Sequence, residues 1–178
     1  MAILFRIHKA WRPGVLAFLM AAAVLGAAGC GSGRKMDMAE DKNAMARLIQ
    51  EGERLIASEI DLQANLPTVH DQLGMVLPVV LRNVLFGANN VYDLLALYEA
   101  AEGFGRDKSA EVTRHMHSRM GIVLQSNQED LRLLRDSKEL VLDANVLLHI
   151  NYLIEYTRKV NGAIAKTMLK TGGYLETD

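Results

Sequence analysis

The chain of 178 residues is nearly neutral, with 20 basic and 21 acidic side chains. This balance leaves no excess of Lys and Arg to neutralise phosphates, so we expect no nucleic acid among its partners. A single cysteine rules out an intramolecular disulfide framework.

The first 29 residues have the layout of a secretory signal peptide. Arg6, Lys9 and Arg12 form a basic start without acidic residues, and residues 15–29 are a continuous apolar run that ends in small side chains. A helix needs about 20 apolar residues to cross the hydrocarbon core, so this run is short for a permanent span. We expect residues 1–29 to be cleaved from the mature protein.

The cysteine comes directly after this run, at the end of the sequence LGAAGC over residues 25–30. This stretch resembles the lipobox of bacterial lipoproteins, although Ala27 stands where the family prefers Leu. The resemblance covers residues 1–33 and implies that the Cys30 thiol receives diacylglycerol. Gly31 stands where the inner-membrane retention signal of the family has Asp, which implies sorting to the outer membrane. An ordinary cleaved signal with an incidental cysteine and an uncleaved N-terminal anchor are the alternatives.

Residues 30–36 are predicted to be a short lipidated tether, followed by one domain over residues 37–178. Two or three acyl chains hold a protein on a bilayer effectively permanently, whereas one chain binds reversibly. Three of the basic residues lie in the signal, so the chain from Cys30 onward carries 17 basic against 21 acidic residues. We therefore expect a water-exposed domain that lipid attaches to the membrane.

Four helices are predicted in this domain from apolar residues spaced three and four apart. Their expected spans are about 37–66, 68–102, 107–135 and 138–170. A capping box of Asp136 and Glu139 is expected to start the fourth helix, whose inner face begins at Leu142. The Thr-Gly-Gly sequence at 171–173 is expected to stop it. A single bent helix in place of the third and fourth is the alternative.

The pattern as a whole predicts an all-α fold. No stretch alternates with the two-residue period of a strand, and no repeat recurs at a fixed spacing. Four helices of similar length with short connections favour an antiparallel up-down four-helix bundle.

The second predicted helix contains an almost entirely apolar segment, residues 75–86. We expect this segment to be the most buried of the domain and to kink near Pro78. In an isolated bundle it would expose Leu81 or Leu85, which would give a partner or self-association surface. Deep burial between neighbouring helices is the alternative.

Three glycines are predicted to lie near mid-height in the bundle, namely Gly52, Gly87 and Gly121, opposite Tyr152 and Tyr156. A glycine inside a helix costs about 1 kcal/mol relative to Ala, so three at one level need an explanation. Close helix contact with tyrosine rings in the remaining space is one interpretation. The other interpretation is a ligand cavity at mid-height, with His149 on the apolar face of the fourth predicted helix.

Catalytic and metal-binding patterns are weak. A di-iron bundle requires Glu-x-x-His pairs, and the chain contains none. His115, Met116 and His117 offer ligands for copper, but neighbours on a helix point about 100° apart and cannot all face one ion. The chain also lacks nucleophile-elbow, zincin and phosphate-loop motifs.

These observations predict a non-catalytic lipoprotein of the cell envelope. Its helical bundle would face the periplasm and act as a scaffold, an adaptor or an accessory subunit, without a cofactor or a metal. Its partners would be the membrane, through Cys30, and an envelope protein or a second copy of itself. A carrier or sensor that binds a small molecule or metal at mid-bundle is the alternative.

Overall fold

The computed structural model describes residues 36–65, 71–104 and 106–176. The predicted signal, Cys30 and most of the tether lie outside these residues. So does the expected start of the second helix at Thr68.

The described residues form four α-helices and no strand. Their bounds are α1 Ala39–Asn65, α2 Asp71–Glu102, α3 Arg106–Glu139 and α4 Ala144–Glu176. Each helix packs on its neighbour in the chain, and α1 also packs on α4. This arrangement confirms the all-α class and fits a helical bundle. None of the described helices is long and apolar enough to cross a membrane.

The core is built from one apolar face of each helix, as the spacing predicted. Its largest fully buried side chains are Met38, Met45, Leu81, Leu95, Tyr98, Met116, Met120, Leu134, Ile150, Leu153, Tyr156 and Ile164. Met38 precedes α1, so the chain enters the core before its first helix begins. Asp37 caps this helix, because its Oδ1 accepts the Ala39 N–H at 2.9 Å.

The boundary between the third and fourth helices differs from the prediction. Asp136 and Glu139 lie inside α3 and do not start α4. The buried face of α3 extends as far as Ser137, which is itself buried. The Ser137 hydroxyl donates a hydrogen bond to the Leu133 carbonyl within the helix. Because this face is still packed, the helix continues where the capping pattern alone indicated a start.

The cap of α4 is instead Asp143. Its Oδ1 accepts the N–H groups of Asn145 at 2.8 Å and Val146 at 3.1 Å. Leu142, expected on the inner face, is 99% exposed, whereas Val141 is buried. The fourth helix therefore begins six residues later than predicted.

The end of α4 was also predicted wrongly, because the helix continues through Gly172 and Gly173 to Glu176. Thr171 is buried, and its hydroxyl lies 3.0 Å from His117 Nδ1 on α3. Gly172 also approaches the His117 ring, since a Cβ placed on it would lie 3.7 Å from Cε1. Packing on α3 outweighs the weak helix preference of two glycines.

The apolar segment 75–86 has a buried side and an exposed side. Leu81 is 1% exposed and Leu85 is half-buried, so neither is the exposed leucine that the sequence predicted. Val79 and Phe86 are exposed instead, at 54% and 69%. The prediction of an exposed apolar surface on this helix was correct in kind but assigned to the wrong residues.

Candidate functional site

Gly52 lies where α1 crosses a tyrosine of α4. A Cβ on Gly52 would come within 2.3 Å of the Tyr156 hydroxyl and 3.0 Å of a Leu85 methyl. Tyr156 is buried, and burial raises the pKa of its hydroxyl, with Glu51 and Glu53 adding to the effect. At this level the tyrosine ring occupies the space that the glycine leaves.

The other two glycines contact different side chains. A Cβ on Gly87 would lie 2.7 Å from Val123 Cγ1, and one on Gly121 would lie 3.9 Å from Met168 Cε. Tyr152, expected at the same level, is 51% exposed. The structure therefore brings Gly52 and Tyr156 together, but it does not gather the three glycines and two tyrosines around a shared contact.

His149 is 5% exposed, and its Nε2 has no hydrogen-bond partner within the described residues. Burial lowers the pKa of this imidazole, which favours the neutral ring. Within the same part of the chain, no group of three or more His, Cys, Asp or Glu side chains could hold a metal ion.

Two polar contacts join α3 to α4 inside the bundle. Asn127 is buried and donates to Asn161 Oδ1 at 2.7 Å, and His117 lies 3.0 Å from the Thr171 hydroxyl. Burial lowers the pKa of His117. Residues 125–128 of α3 are all polar, and Asn127 is the one of them that lies in the interior, where its amide pair with Asn161 helps to fix the register of two helices.

A charged seam joins α1 to α4. Glu51 accepts Lys159 at 2.7 Å and Glu40 accepts Lys166 at 2.9 Å. Asp41 is buried, pairs with Lys170 and also accepts the Thr167 hydroxyl. Ion pairs within the chain therefore occupy this side of the bundle.

The side formed by α2 and α3 is different. We call the outer surface of these two helices the open face. Its exposed apolar side chains are Val79, Phe86 and Leu97 on α2 and Ile122 and Leu133 on α3. Helical spacing puts the three α2 residues on one stripe and the two α3 residues on another. The sequence predicted an exposed apolar surface on α2 at the wrong residues and missed the α3 part of the open face, since periodicity alone does not show which flank of a helix is covered.

A buried acid lies just beneath the open face. Asp130 is 8% exposed, and its Oδ2 has no partner within the described residues. Burial raises the pKa of this carboxyl, a side-chain hydrogen bond with Asn83 of α2 opposes the shift, and Glu129 adds to it.

Comparisons with known proteins give no match: no protein-family model, curated protein or solved structure matches this chain. The functional conclusion therefore depends on the residues and the packing described above.

Proposed function

We propose that this protein is a lipid-anchored bacterial lipoprotein of the cell envelope whose helical domain acts by non-covalent interaction. The observation that carries the proposal is Cys30 directly after a basic start, an apolar run and a small-residue stretch. Modification of this thiol would hold the domain at the outer membrane, facing the periplasm.

The start of the folded domain fits a short tether. Met36 packs against the core and Met38 is 2% exposed, so the fold begins about six residues after Cys30. An extended residue spans at most about 3.6 Å, which limits the distance between anchor and core to roughly 20 Å. The end of the bundle that carries residue 36 would thus stay close to the bilayer.

An antiparallel up-down order is part of this proposal. Glu40 near the start of α1 pairs with Lys166 near the end of α4. Along α3, His117 contacts Thr171, whereas the later residue Asn127 contacts the earlier residue Asn161. These pairs support neighbouring helices that run in opposite directions.

An interaction role is supported by what the described surface and interior offer. The open face exposes five large apolar side chains, and extended patches of this kind on soluble domains commonly mark interaction sites. Inside the bundle, the Tyr156 ring occupies the space at Gly52. A scaffold, an adaptor or an accessory subunit uses such a surface without chemistry.

Lipidation is tested on the full chain in a bacterial host. We expect the intact mass to show loss of residues 1–29 and addition of acyl chains. Cys30→Ala should abolish the added mass and either release the domain from membranes or leave it as a precursor. Ser32→Ala is the matched control and should remain lipidated. An unmodified thiol on a chain that keeps its first 29 residues would overturn the proposal.

A second candidate function is transport or sensing of a small molecule. The observation that favours it is the pair of buried polar atoms without partners in the described part of the chain, His149 Nε2 and the Tyr156 hydroxyl. Native mass spectrometry of the detergent-solubilised full chain tests it. A reproducible added mass that His149→Leu removes would support a carrier. A mass that the polypeptide and its acyl chains fully account for would count against one.

A further inference from the structure

The open face carries exposed charges as well as apolar side chains. Arg82 and Asp93 lie on α2, and Arg119 and Glu129 lie on α3. All four are exposed, and none forms an ion pair within the described residues. On the charged seam between α1 and α4, by contrast, the acids are already neutralised by lysines of the same chain.

The register between α2 and α3 fixes the heights of these charges. Gly87 lies against Val123, and Asn83 lies close enough to Asp130 to lower the pKa of its carboxyl. With the antiparallel order proposed above, this register brings two pairs of positions level with each other. They are Arg82 with Glu129, and Asp93 with Arg119.

The resulting pattern is complementary to itself. At one height the face is positive on α2 and negative on α3, and about three helical turns away the signs are reversed. A two-fold axis along the bundle would place α2 of each copy opposite α3 of the other. Arg82 would then face Glu129 of the second copy, and Asp93 would face Arg119.

The same two-fold axis also brings apolar positions of the open face opposite suitable positions of the second copy. Val79 is level with Leu133, so these two would meet across the axis. Phe86 is level with Ser126, a small residue that leaves room for the ring. A surface that is complementary to a second copy at charged and apolar positions alike fits an isologous interface.

We propose that the open face is the contact surface of a parallel homodimer. The charges alone would also allow an antiparallel two-fold dimer, in which Arg82 faces Asp93 of the second copy. Only the parallel arrangement puts residue 36 of both copies at the same end, as attachment to one membrane requires. The parallel orientation therefore rests on the lipid anchor proposed above, whereas use of the open face does not.

The first experiment measures association of the detergent-solubilised full chain by light scattering. We expect a dimer for the wild type and at least a tenfold weaker dimer for Phe86→Asp, since a central aromatic anchor usually dominates an interface. Phe104→Asp is the matched control, because Phe104 is 81% exposed in the turn before α3 and should leave the dimer intact. A monomeric wild type, or equal dimers for both variants, would overturn the proposal.

Charge reversal tests the pairing itself. Arg82→Glu should weaken the dimer at low salt by placing two acids opposite each other, and adding Glu129→Arg should restore it. Arg158→Glu, on the exposed side of α4, should have no effect. Failure of the double variant to recover would contradict the proposed pairing.

Cross-linking decides the orientation. Val79→Cys and Leu97→Cys lie about 27 Å apart along α2, because each residue adds 1.5 Å. In a parallel dimer each cysteine should be linked to its own counterpart by a short bismaleimide. Links formed only when the two variants are mixed would indicate an antiparallel dimer and overturn the proposed orientation.

The wild-type chain, whose one cysteine is Cys30, gives the background level of cross-linking through that residue. Membrane release of Cys30→Ala is scored separately from dimer formation. A wild-type chain that dimerises but carries no lipid refutes the anchor and leaves the open-face dimer standing, and a lipidated monomer refutes only the dimer.

Discussion

The two sides of this bundle use charge in opposite ways. Between α1 and α4, acids and lysines of the same chain pair with each other. These acids include the buried Asp41, whose partner is Lys170. On the open face, the exposed charges Arg82, Asp93, Arg119 and Glu129 stand beside exposed apolar side chains, and none of these four forms an ion pair within the described residues. The comparison teaches that charged side chains of both signs can pair with each other within the chain or remain unpaired at its surface.

The largest effect is expected at the charged seam between α1 and α4. Asp41→Ala should lower the free energy of unfolding by about 3 kcal/mol, because it leaves Lys170 without its acid in a partly buried site. Urea unfolding of the full chain in detergent would measure this change. Glu40→Ala, whose partner Lys166 is exposed, should have no resolvable effect. Equal losses for the two variants would show that burial does not distinguish the two pairs.

Glycine substitutions compare the packing of the two sides directly. Gly52→Ala should destabilise the protein by about 2 kcal/mol, since its Cβ would lie 2.3 Å from the Tyr156 hydroxyl. Gly87→Ala should cost less, because the shortest contact of its Cβ, with Val123 Cγ1, would be longer at 2.7 Å. Gly162→Ala is the control: nothing lies within 4 Å of its Cβ, so helix propensity should make it neutral or stabilising. A neutral Gly52→Ala would indicate unfilled space beside Tyr156.

The buried acid beneath the open face predicts a dependence on pH. The pKa of Asp130 is raised in the folded state, so the folded chain keeps a proton that the unfolded chain loses first. Stability should therefore fall as pH rises from the ordinary Asp value of 3.8 through the raised folded value. Asp130→Asn should remove this loss and raise the free energy of unfolding at neutral pH by about 1 kcal/mol.

Unfolding curves from pH 3 to 8 would measure the effect of Asp130→Asn. Wild type and variant should converge at the acidic end of this range. Glu129→Gln is the control and should produce a much smaller change, since it only removes a neighbouring charge. A constant difference between Asp130→Asn and the wild type across the range would contradict the assignment.

The smallest effect concerns the exposed ion pairs of the charged seam. Lys159→Ala should cost about 0.5 kcal/mol or less, and the loss should disappear at high salt, because both partners are partly exposed. Arg82→Ala on the open face should leave the stability of the monomer unchanged at any salt concentration. A salt-dependent loss for Arg82→Ala would indicate a partner within the chain and remove the contrast between the two sides.

The interior was partly predictable from the sequence. Three-and-four spacing identified the four helices and most of their buried faces, because that spacing is the geometry of an α-helix. Tyr156 was correctly placed near Gly52, since crude heights along matched helices suffice for that pair. Tyr152 has the same residue type and nearly the same height, but its side chain is 51% exposed and is not part of the core.

The sequence by itself determined the helical class and the expectation of a lipid anchor at Cys30, because these follow from local spacing and short contiguous motifs, whereas the structure decided that the third and fourth helices are separate. Only the tertiary structure decided where α3 and α4 end, since Ser137 and Thr171 hold their helices through packing that no local signal encodes. It also decided that Leu81 is buried and Phe86 exposed. Which flank of a helix meets water depends on the position of its neighbours, and those positions result from the packing of the whole bundle.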